Sequence, residues 1–221
     1  MKILALEFSS PQRGVAVRGP AAAGAAEVLG EAFEAGGKTS EPFRMIEEAL
    51  AQAGLKREEV ECIAVGLGPG SYNGIRVGIA IAQGWQLARS IKLCGMDSVR
   101  LIAAGAAAEG LAGTVAVVID AQRQEFYLAL YDIAAGLPRE ITPLKLVNRA
   151  ELEVACTGAV TPVGPEVTRW LAHGRIIMPR ASILAKMAAA EARFVAGEHL
   201  EPVYLRETTF VKAPPPRIIP D

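Results

Sequence analysis

The chain has 221 residues, of which 51% are apolar and 21% charged, and its formal net charge is −1. This apolar content suffices for the core of one large domain or two small lobes, whereas the near-zero charge, without a run of Lys or Arg, argues against strong RNA binding by the chain alone. No apolar run reaches the ~18 residues of a membrane span, and Glu7 interrupts the apolar start too early for a secretory signal, so we expect a cytoplasmic protein.

The first forty residues predict a three-stranded meander. Strands are expected over residues 2–8, from Val15, and over residues 28–33, with Ser9-Ser10-Pro11 as the first turn. The sequence Gly36-Gly37-Lys38-Thr39 imitates a phosphate-binding P-loop. That pattern requires glycine at position 32, where this chain has Ala32, and it requires a preceding parallel βαβ strand. The sequence therefore favours the start of a helix over a P-loop at this segment.

In that alternative, Thr39 or Ser40 caps a helix that has Pro42 in its first turn. Apolar residues recur on one face of this helix, and Gly54 ends it. The residues of that face are Phe43, Ile46, Leu50 and Ala53.

The next segment combines a strand ending at Leu67, a glycine turn and a helix to about Arg89. Two faces of this helix separate. Gly70, Gly74, Gly78 and Ala82 recur every fourth residue on one, and Val77, Ile81, Trp85 and Ala88 on another. Each helical glycine costs roughly 1 kcal/mol relative to alanine, so we expect a second backbone to approach the glycine face closely. That backbone belongs either to this chain or to a partner.

The glycine turn itself has two interpretations. Gly66, Gly68 and Gly70 ahead of a helix could present backbone N–H groups to a phosphate. They could equally permit a tight strand-to-helix turn, with Ser71 capping the helix. The spacing is not G-x-G-x-x-G and no Lys-Ser/Thr pair follows, so the turn interpretation is favoured.

The rest of the chain predicts a second α/β unit. After a strand at residues 91–95, Asp97 or Ser98 caps a helix to about residue 109, and Gly110 with Gly113 marks a boundary between lobes. We therefore predict a first lobe over residues 1–110, a second over 111–212 with a long C-terminal helix, and an extended or disordered tail over 213–221 that folding does not need. The predicted elements of the second lobe are strands at 114–119, 125–131 and 141–147 and helices at 165–172 and 182–196, the last capped by Gly197.

Few residues suit catalysis or metal binding. His173 and His199 are isolated, Ser71 does not lie in a G-x-S-x-G elbow, and the three cysteines look like reduced core residues. We therefore predict no metal and no cofactor. Glu7 and Asp120 end the first strand of each lobe, where a carboxylate could bind a magnesium–nucleotide complex or simply cap a turn.

Four motifs resemble the bacterial TsaB (YeaZ) family. Residues 68–78, GPGSYNGIRVG, are similar to its GPGSFTGLRIG signature, and residues 3–10 to its ILAIDTS strand. Residues 118–127 are similar to its IDARRGEVY segment, and residues 201–206 to its PVYLR ending. Together the motifs extend over nearly the whole chain.

The resemblance implies a two-lobed actin-like fold with ribonuclease-H-like halves, and a non-catalytic subunit in the synthesis of threonylcarbamoyladenosine beside the tRNA anticodon. It implies a homodimer in isolation, a TsaD-like transferase and a TsaE-like ATPase as partners, and contact with tRNA only through the complex. The family's dimer surface is formed by its first two helices. The partner-binding residues expected here are Phe43, Ile46, Leu50, Gly70, Tyr72, Asn73, Gly74, Arg76, Val77, Gly78 and Ile81.

A vestigial nucleotide site is the remaining expectation. Its residues are Glu7, Ser9, Gly68, Ser71 and Asp120. Glu7-Phe8 replaces the Asp-Thr of the family and Gln122 replaces its Arg, which argues against ATP binding. The alternative function is a small actin-fold ATPase or kinase that acts through Glu7, Asp120 and the loop of residues 66–71. A hydrolase ranks third because the sequence shows no nucleophile–base pair.

Overall fold

The computed structural model describes residues 1–20, 28–35 and 41–205 of the chain. Within these ranges the protein forms two five-stranded mixed sheets, five α-helices and three single-turn 3-10 segments. The proposed caps Thr39 and Ser40, the P-loop-like segment and the tail 213–221 lie outside the described residues.

The first sheet has the strand order β3-β2-β1-β4-β5. The meander predicted from the sequence is confirmed, because β1–β2 and β2–β3 pair antiparallel, whereas β4 and β5 continue the sheet in parallel. Its strands are β1 (Ile3–Glu7), β2 (Gln12–Gly19), β3 (Val28–Ala35), β4 (Cys62–Gly66) and β5 (Lys92–Met96).

One face of this sheet is covered by helices α1 (Pro42–Gln52) and α2 (Tyr72–Ala88). Ile75 and Ile79 of α2 are buried in that core beside Leu4 and Leu6 of β1. Burial of an isoleucine side chain contributes roughly 1.5–3 kcal/mol, so this inner face anchors α2.

The second sheet repeats the first, with the order β8-β7-β6-β9-β10. The duplicated α/β unit expected from the sequence is therefore present. Helix α3 (Ser98–Ala108) packs on one face of this sheet. The other face is covered by α4 (Arg149–Ala155) and the 3-10 turn Val167–Arg169. The strands are β6 (Gly113–Asp120), β7 (Glu125–Ala134), β8 (Leu137–Asn148), β9 (Thr161–Gly164) and β10 (Arg175–Ile176).

Helix α5 (Ala181–Glu191) follows the second sheet in sequence but packs on the first sheet. Its residues Leu184, Ala185 and Ala188 are fully buried against the face that α1 and α2 leave open, beside Ala5 and Ala64. The prediction placed this helix in the second lobe, and its contacts correct that placement. The division of the chain near residue 110 stays a prediction.

Three local predictions in the second half were wrong. Residues 165–172 form only a 3-10 turn, in a segment where the β-branched Val167 and Thr168 disfavour a helix. Gly197 does not cap α5, since the helix ends at Glu191 and its C-cap is Ala192 in a left-handed conformation (φ 48°). Helix α4 was missed, although Asn148 and Glu151 form a capping box that is visible in the sequence.

After α5 the chain crosses the edge of the first sheet as a C-terminal strap (residues 192–205). The Val195 N–H donates to the Leu93 carbonyl at 2.9 Å, and the Val203 N–H donates to the Leu67 carbonyl at 2.9 Å. Leu200 is 3% exposed and joins the core under α2. The strap therefore covers the outer edge of β5.

Candidate functional site

Helix α2 begins at a turn that is bonded to the end of β1. The Ser71 N–H donates to the Ser9 carbonyl at 2.7 Å, and Ser71 Oγ accepts from the Gly74 N–H at 3.3 Å. Ser71 is the N-cap, as predicted. These bonds hold the first turn of α2 against the first lobe.

The glycine face of α2 packs inside this chain. A Cβ atom on Gly74 would overlap the Phe8 carbonyl oxygen, and one on Gly70 would overlap the Ser9 carbonyl oxygen. A Cβ atom on Gly78 would lie 3.3 Å from Val65 Cγ1. The second backbone that Gly70 and Gly74 admit is therefore that of residues 8–9, directly after β1 of the same lobe. The prediction that these three glycines receive a partner helix is corrected.

A second face of α2 forms an open apolar groove with α1. This α1–α2 groove has a volume of about 460 Å³. It is lined by Pro42, Phe43, Ile46, Arg57, Val77, Ala80, Ile81, Gly84 and Trp85. Phe43 is 64% exposed and Val77 is 40% exposed, and with the other lining residues they form one continuous apolar surface.

The structure separates the predicted partner residues into groups. Four of them line the groove: Phe43, Ile46, Val77 and Ile81. Tyr72, Asn73 and Arg76 are exposed at the first turns of α2. Leu50 does not line the groove, because its side chain is 4% exposed and belongs to the core between α1 and the sheet.

Glu7 is fully buried at the end of β1. Its Oε1 accepts from the Ser9 N–H at 2.8 Å, and its Oε2 accepts from Ser98 Oγ at 3.1 Å. Ser98 Oγ also accepts from the Gly68 N–H at 3.2 Å, so one hydroxyl joins β1, the glycine turn and α3. Burial raises the pKa of the Glu7 carboxyl above its ordinary value, and the hydrogen bonds from Ser9 and Ser98 lower it only in part.

A second cavity, the interlobe cleft, has a volume of about 560 Å³. Most of its lining lies at or just after the carboxyl ends of β1, β4, β6 and β9, the position at which α/β proteins commonly bind ligands. The first lobe contributes residues 9–11, Arg13 and residues 70–72; the second contributes residues 119–122, Tyr127, Pro165 and Glu166.

The predicted nucleotide residues are only partly brought together. Ser9, Ser71 and Asp120 line the interlobe cleft, whereas Glu7 and Gly68 do not. Asp120 accepts from the Gln122 N–H at 2.8 Å and from Gln122 Nε2 at 3.0 Å, in a turn whose residues 122–124 all have positive φ. Asp120 thus caps a turn, and the paired-carboxylate arrangement with Glu7 is absent from the cleft.

The other candidate groups lie apart. Cys62, Cys94 and Cys156 are free and buried, as expected, and burial raises the pKa of the Cys62 thiol to about 12. In the described ranges, no group of three or more His, Cys, Asp or Glu side chains is placed to hold a metal ion. Nor does any helix in those ranges have the length and apolarity needed to cross a membrane.

Sequence reasoning missed several residues of both cavities. Ala80 and Gly84 line the groove as an i, i+4 pair of small residues, a spacing that the sequence of α2 already contains. Arg57 lines the groove from a loop, and Arg13 lines the cleft from β2. Nothing in the local pattern of either arginine distinguishes it from a surface residue.

Two similarly ordered α/β lobes around a cleft define the two-lobed actin-like class. A family model described as TsaD, tRNA N6-adenosine threonylcarbamoyltransferase, matches residues 40–198. The Escherichia coli tRNA threonylcarbamoyladenosine biosynthesis protein TsaB is 32% identical, over 77% of this chain and 81% of that protein. The Haemophilus influenzae TsaB protein is 29% identical, over 77% and 80%.

Solved structures give the same result. The crystal structure of a Pseudomonas aeruginosa protein described as similar to peptidase YeaZ has a TM-score of 0.76 and 26% sequence identity. The match covers 93% of this chain and 99% of that one. The chain therefore belongs to the TsaB (YeaZ) family, as its motifs indicated.

Proposed function

We propose that this protein is a non-catalytic subunit in the biosynthesis of threonylcarbamoyladenosine in tRNA, and that its α1–α2 groove binds a TsaD-like transferase. Family membership supports a role for this protein in that pathway, since two relatives are named for the same biosynthesis. The proposal includes self-association through the same groove in isolation, a TsaE-like ATPase as a further partner and a cytoplasmic location.

The groove is the observation that carries the scaffold role. It exposes Phe43 and Val77, large apolar side chains of the kind that a partner surface covers. Gly84 lies within α2 and has no atom within 4 Å of the position of a Cβ atom. Its roughly 1 kcal/mol cost in a helix is therefore not compensated inside the described chain, and a closely packed partner helix would compensate it.

The absence of intrinsic catalysis is part of the same proposal. The burial of Glu7 supports it. Of the two carboxylates that could bind a magnesium–nucleotide complex, Asp120 lines the cleft and Glu7 does not. The ATPase alternative predicts magnesium-dependent ATP turnover by the isolated chain. If the isolated chain hydrolyses ATP and Asp120→Asn abolishes this activity, the ATPase function is correct and the scaffold proposal is wrong.

The test of the groove is Val77→Asp beside the matched control Val154→Asp. Val154 is 73% exposed on α4 of the second lobe, so both variants place a charge at an exposed helical valine. We expect Val77→Asp to lose self-association in sedimentation velocity and co-purification with the transferase, whereas Val154→Asp keeps both. Retention of both associations by Val77→Asp would exclude the groove as the partner site.

A further inference from the structure

The interlobe cleft contains two unpaired side chains of opposite charge. Arg13 lines it from β2, and Asp120 lines it from the end of β6. The scaffold role proposed above involves neither residue, because neither lines the α1–α2 groove.

Arg13 has no ion pair or hydrogen bond from its side chain to any residue in the described part of the chain. Glu34 lies opposite Arg13 in the pairing of β2 with β3, but its carboxylate forms an ion pair with Arg44 at 2.6 Å. The guanidinium, which is always charged and has five N–H donors, therefore has no acceptor among the described residues and is available to a ligand of the cleft.

Asp120 has hydrogen bonds but no cationic partner among the described residues. Both of its bonds come from Gln122, one from the backbone N–H and one from the side-chain amide, and both donors are neutral. These bonds fix the carboxylate without balancing its charge. The other acidic residue of the lining, Glu166, differs because Arg169 pairs with it at 2.8 Å.

The two opposite charges of the cleft therefore disfavour ligands that carry charge of only one sign. A nucleoside triphosphate without a metal ion would leave the Asp120 carboxylate unbalanced, and a small cation alone would be repelled by Arg13. A molecule with one carboxylate and one ammonium group carries a counter-charge for each of the two side chains. A cavity of about 560 Å³ is ample for such a molecule.

We propose that the interlobe cleft binds a small zwitterion of the amino-acid class, with its carboxylate on Arg13 and its ammonium group on Asp120. Arg13 supplies paired N–H donors suited to a carboxylate, and Asp120 supplies acceptor lone pairs beyond the two that Gln122 occupies. The inference is independent of the scaffold role and of the α1–α2 groove.

The test is isothermal titration calorimetry on the full chain with glycine, L-threonine, β-alanine and 4-aminobutyrate. Because Arg13 and Asp120 do not pair directly, the series also measures which spacing of the two ligand charges spans them. Acetate and methylammonium serve as the two half-ligands, and inorganic phosphate and magnesium–ATP as competing classes. We expect at least one zwitterion to bind about tenfold or more tightly than either half-ligand, because each half loses a charge-assisted contact.

Arg13→Gln and Asp120→Asn should each weaken binding of that zwitterion by about tenfold or more. The asparagine keeps one oxygen for the Gln122 N–H, so the turn is preserved. Matched controls are Arg175→Gln and Glu201→Gln, which remove exposed charges outside the cleft and should leave affinity unchanged. Thermal melts of each variant confirm that it is folded.

Three outcomes would overturn the proposal. Acetate or phosphate binding as tightly as the zwitterion, with no effect of Asp120→Asn, would show an anion site. Binding of magnesium–ATP in preference to every zwitterion would show a nucleotide site. The absence of binding by all zwitterions up to about 10 mM, tenfold above a millimolar Kd, would leave the cleft without this function.

Discussion

The carboxylate of Glu7 occupies the space that a side chain on Gly66 would fill. Oε2 of Glu7 lies where a Cβ atom of Gly66 would be placed, so the two residues at the ends of β1 and β4 are complementary. The longer acid at position 7 is accommodated because position 66 has no side chain.

This complementarity gives a direct stability prediction. Gly66→Ala should lower the free energy of unfolding by about 1–3 kcal/mol or more, because the methyl group overpacks a buried and hydrogen-bonded carboxylate. Glu7→Asp shortens the acid and should recover part of that loss in the double variant. Urea unfolding of both single variants and the double variant measures the coupling. Strictly additive effects would contradict direct contact between the two positions.

Stability should also respond to the protonation of Glu7. Burial raises the pKa of this carboxyl in the folded protein above the ordinary value of 4.5. The folded state then holds the proton more firmly than the unfolded state, so the contribution is full below the unfolded pKa and is lost as pH rises through the folded pKa. We expect the free energy of unfolding of the wild type, relative to Glu7→Gln, to fall as pH rises from 4.5. A difference that grows with pH would mean that hydrogen bonding outweighs burial.

Gly74 and Gly84 should respond oppositely to the same substitution. Gly74→Ala pushes a methyl group into the Phe8 carbonyl and should destabilise the fold by about 1–3 kcal/mol or more. Gly84→Ala enters open space in a helix and should stabilise the isolated chain by about 0.4–1 kcal/mol. Chemical denaturation under conditions in which the protein is monomeric measures both. Equal effects would contradict the assignment of inner and outer faces.

The capping box of α4 is testable with a pair of asparagines. Asn148 Oδ1 accepts from the Glu151 N–H at 3.0 Å, so Asn148→Ala should cost about 1 kcal/mol of stability. Asn73→Ala, at an exposed position within α2, should change stability by less than about 0.5 kcal/mol. Thermal melting distinguishes the two, and a neutral Asn148→Ala would show that α4 is held by packing alone.

The C-terminal strap offers a matched leucine pair. Leu200 is 3% exposed in the first core and Leu205 is 39% exposed. Leu200→Ala should therefore cost about 2–5 kcal/mol, and Leu205→Ala much less. Denaturant unfolding checks this, and similar costs would mean that the strap does not contribute to the core.

Much of the fold could be predicted because its signals are local. The strands β1 to β3, the period of α2 and the cap at Ser71 depend on a few adjacent residues, and the structure confirms them. The helical period also separates two faces of α2, because it depends on residues three and four apart. Which face lies inside depends on the approach of Phe8, about seventy positions away, and local pattern does not encode that distance.

The sites were less predictable for a related reason. Glu7 and Asp120 occupy equivalent places at the ends of the first strands of the two lobes, yet one is buried and the other lines a cleft. Their difference arises from Ser98 and the glycine turn, which close over Glu7. Arg13 is a candidate binding residue because it borders a cavity that both lobes form, and no local sequence pattern shows that cavity.

The late position of α5 in the sequence constrains how the protein can be synthesised. The first sheet is complete once β5 has left the ribosome, but α5, which covers its second face, emerges roughly ninety residues later. Until then a nascent chain carries an apolar sheet face with Ala5, Ala64 and Cys94 uncovered. A released fragment of residues 1–110 should consequently aggregate or recruit chaperones, and addition of the α5 segment in trans should make it soluble.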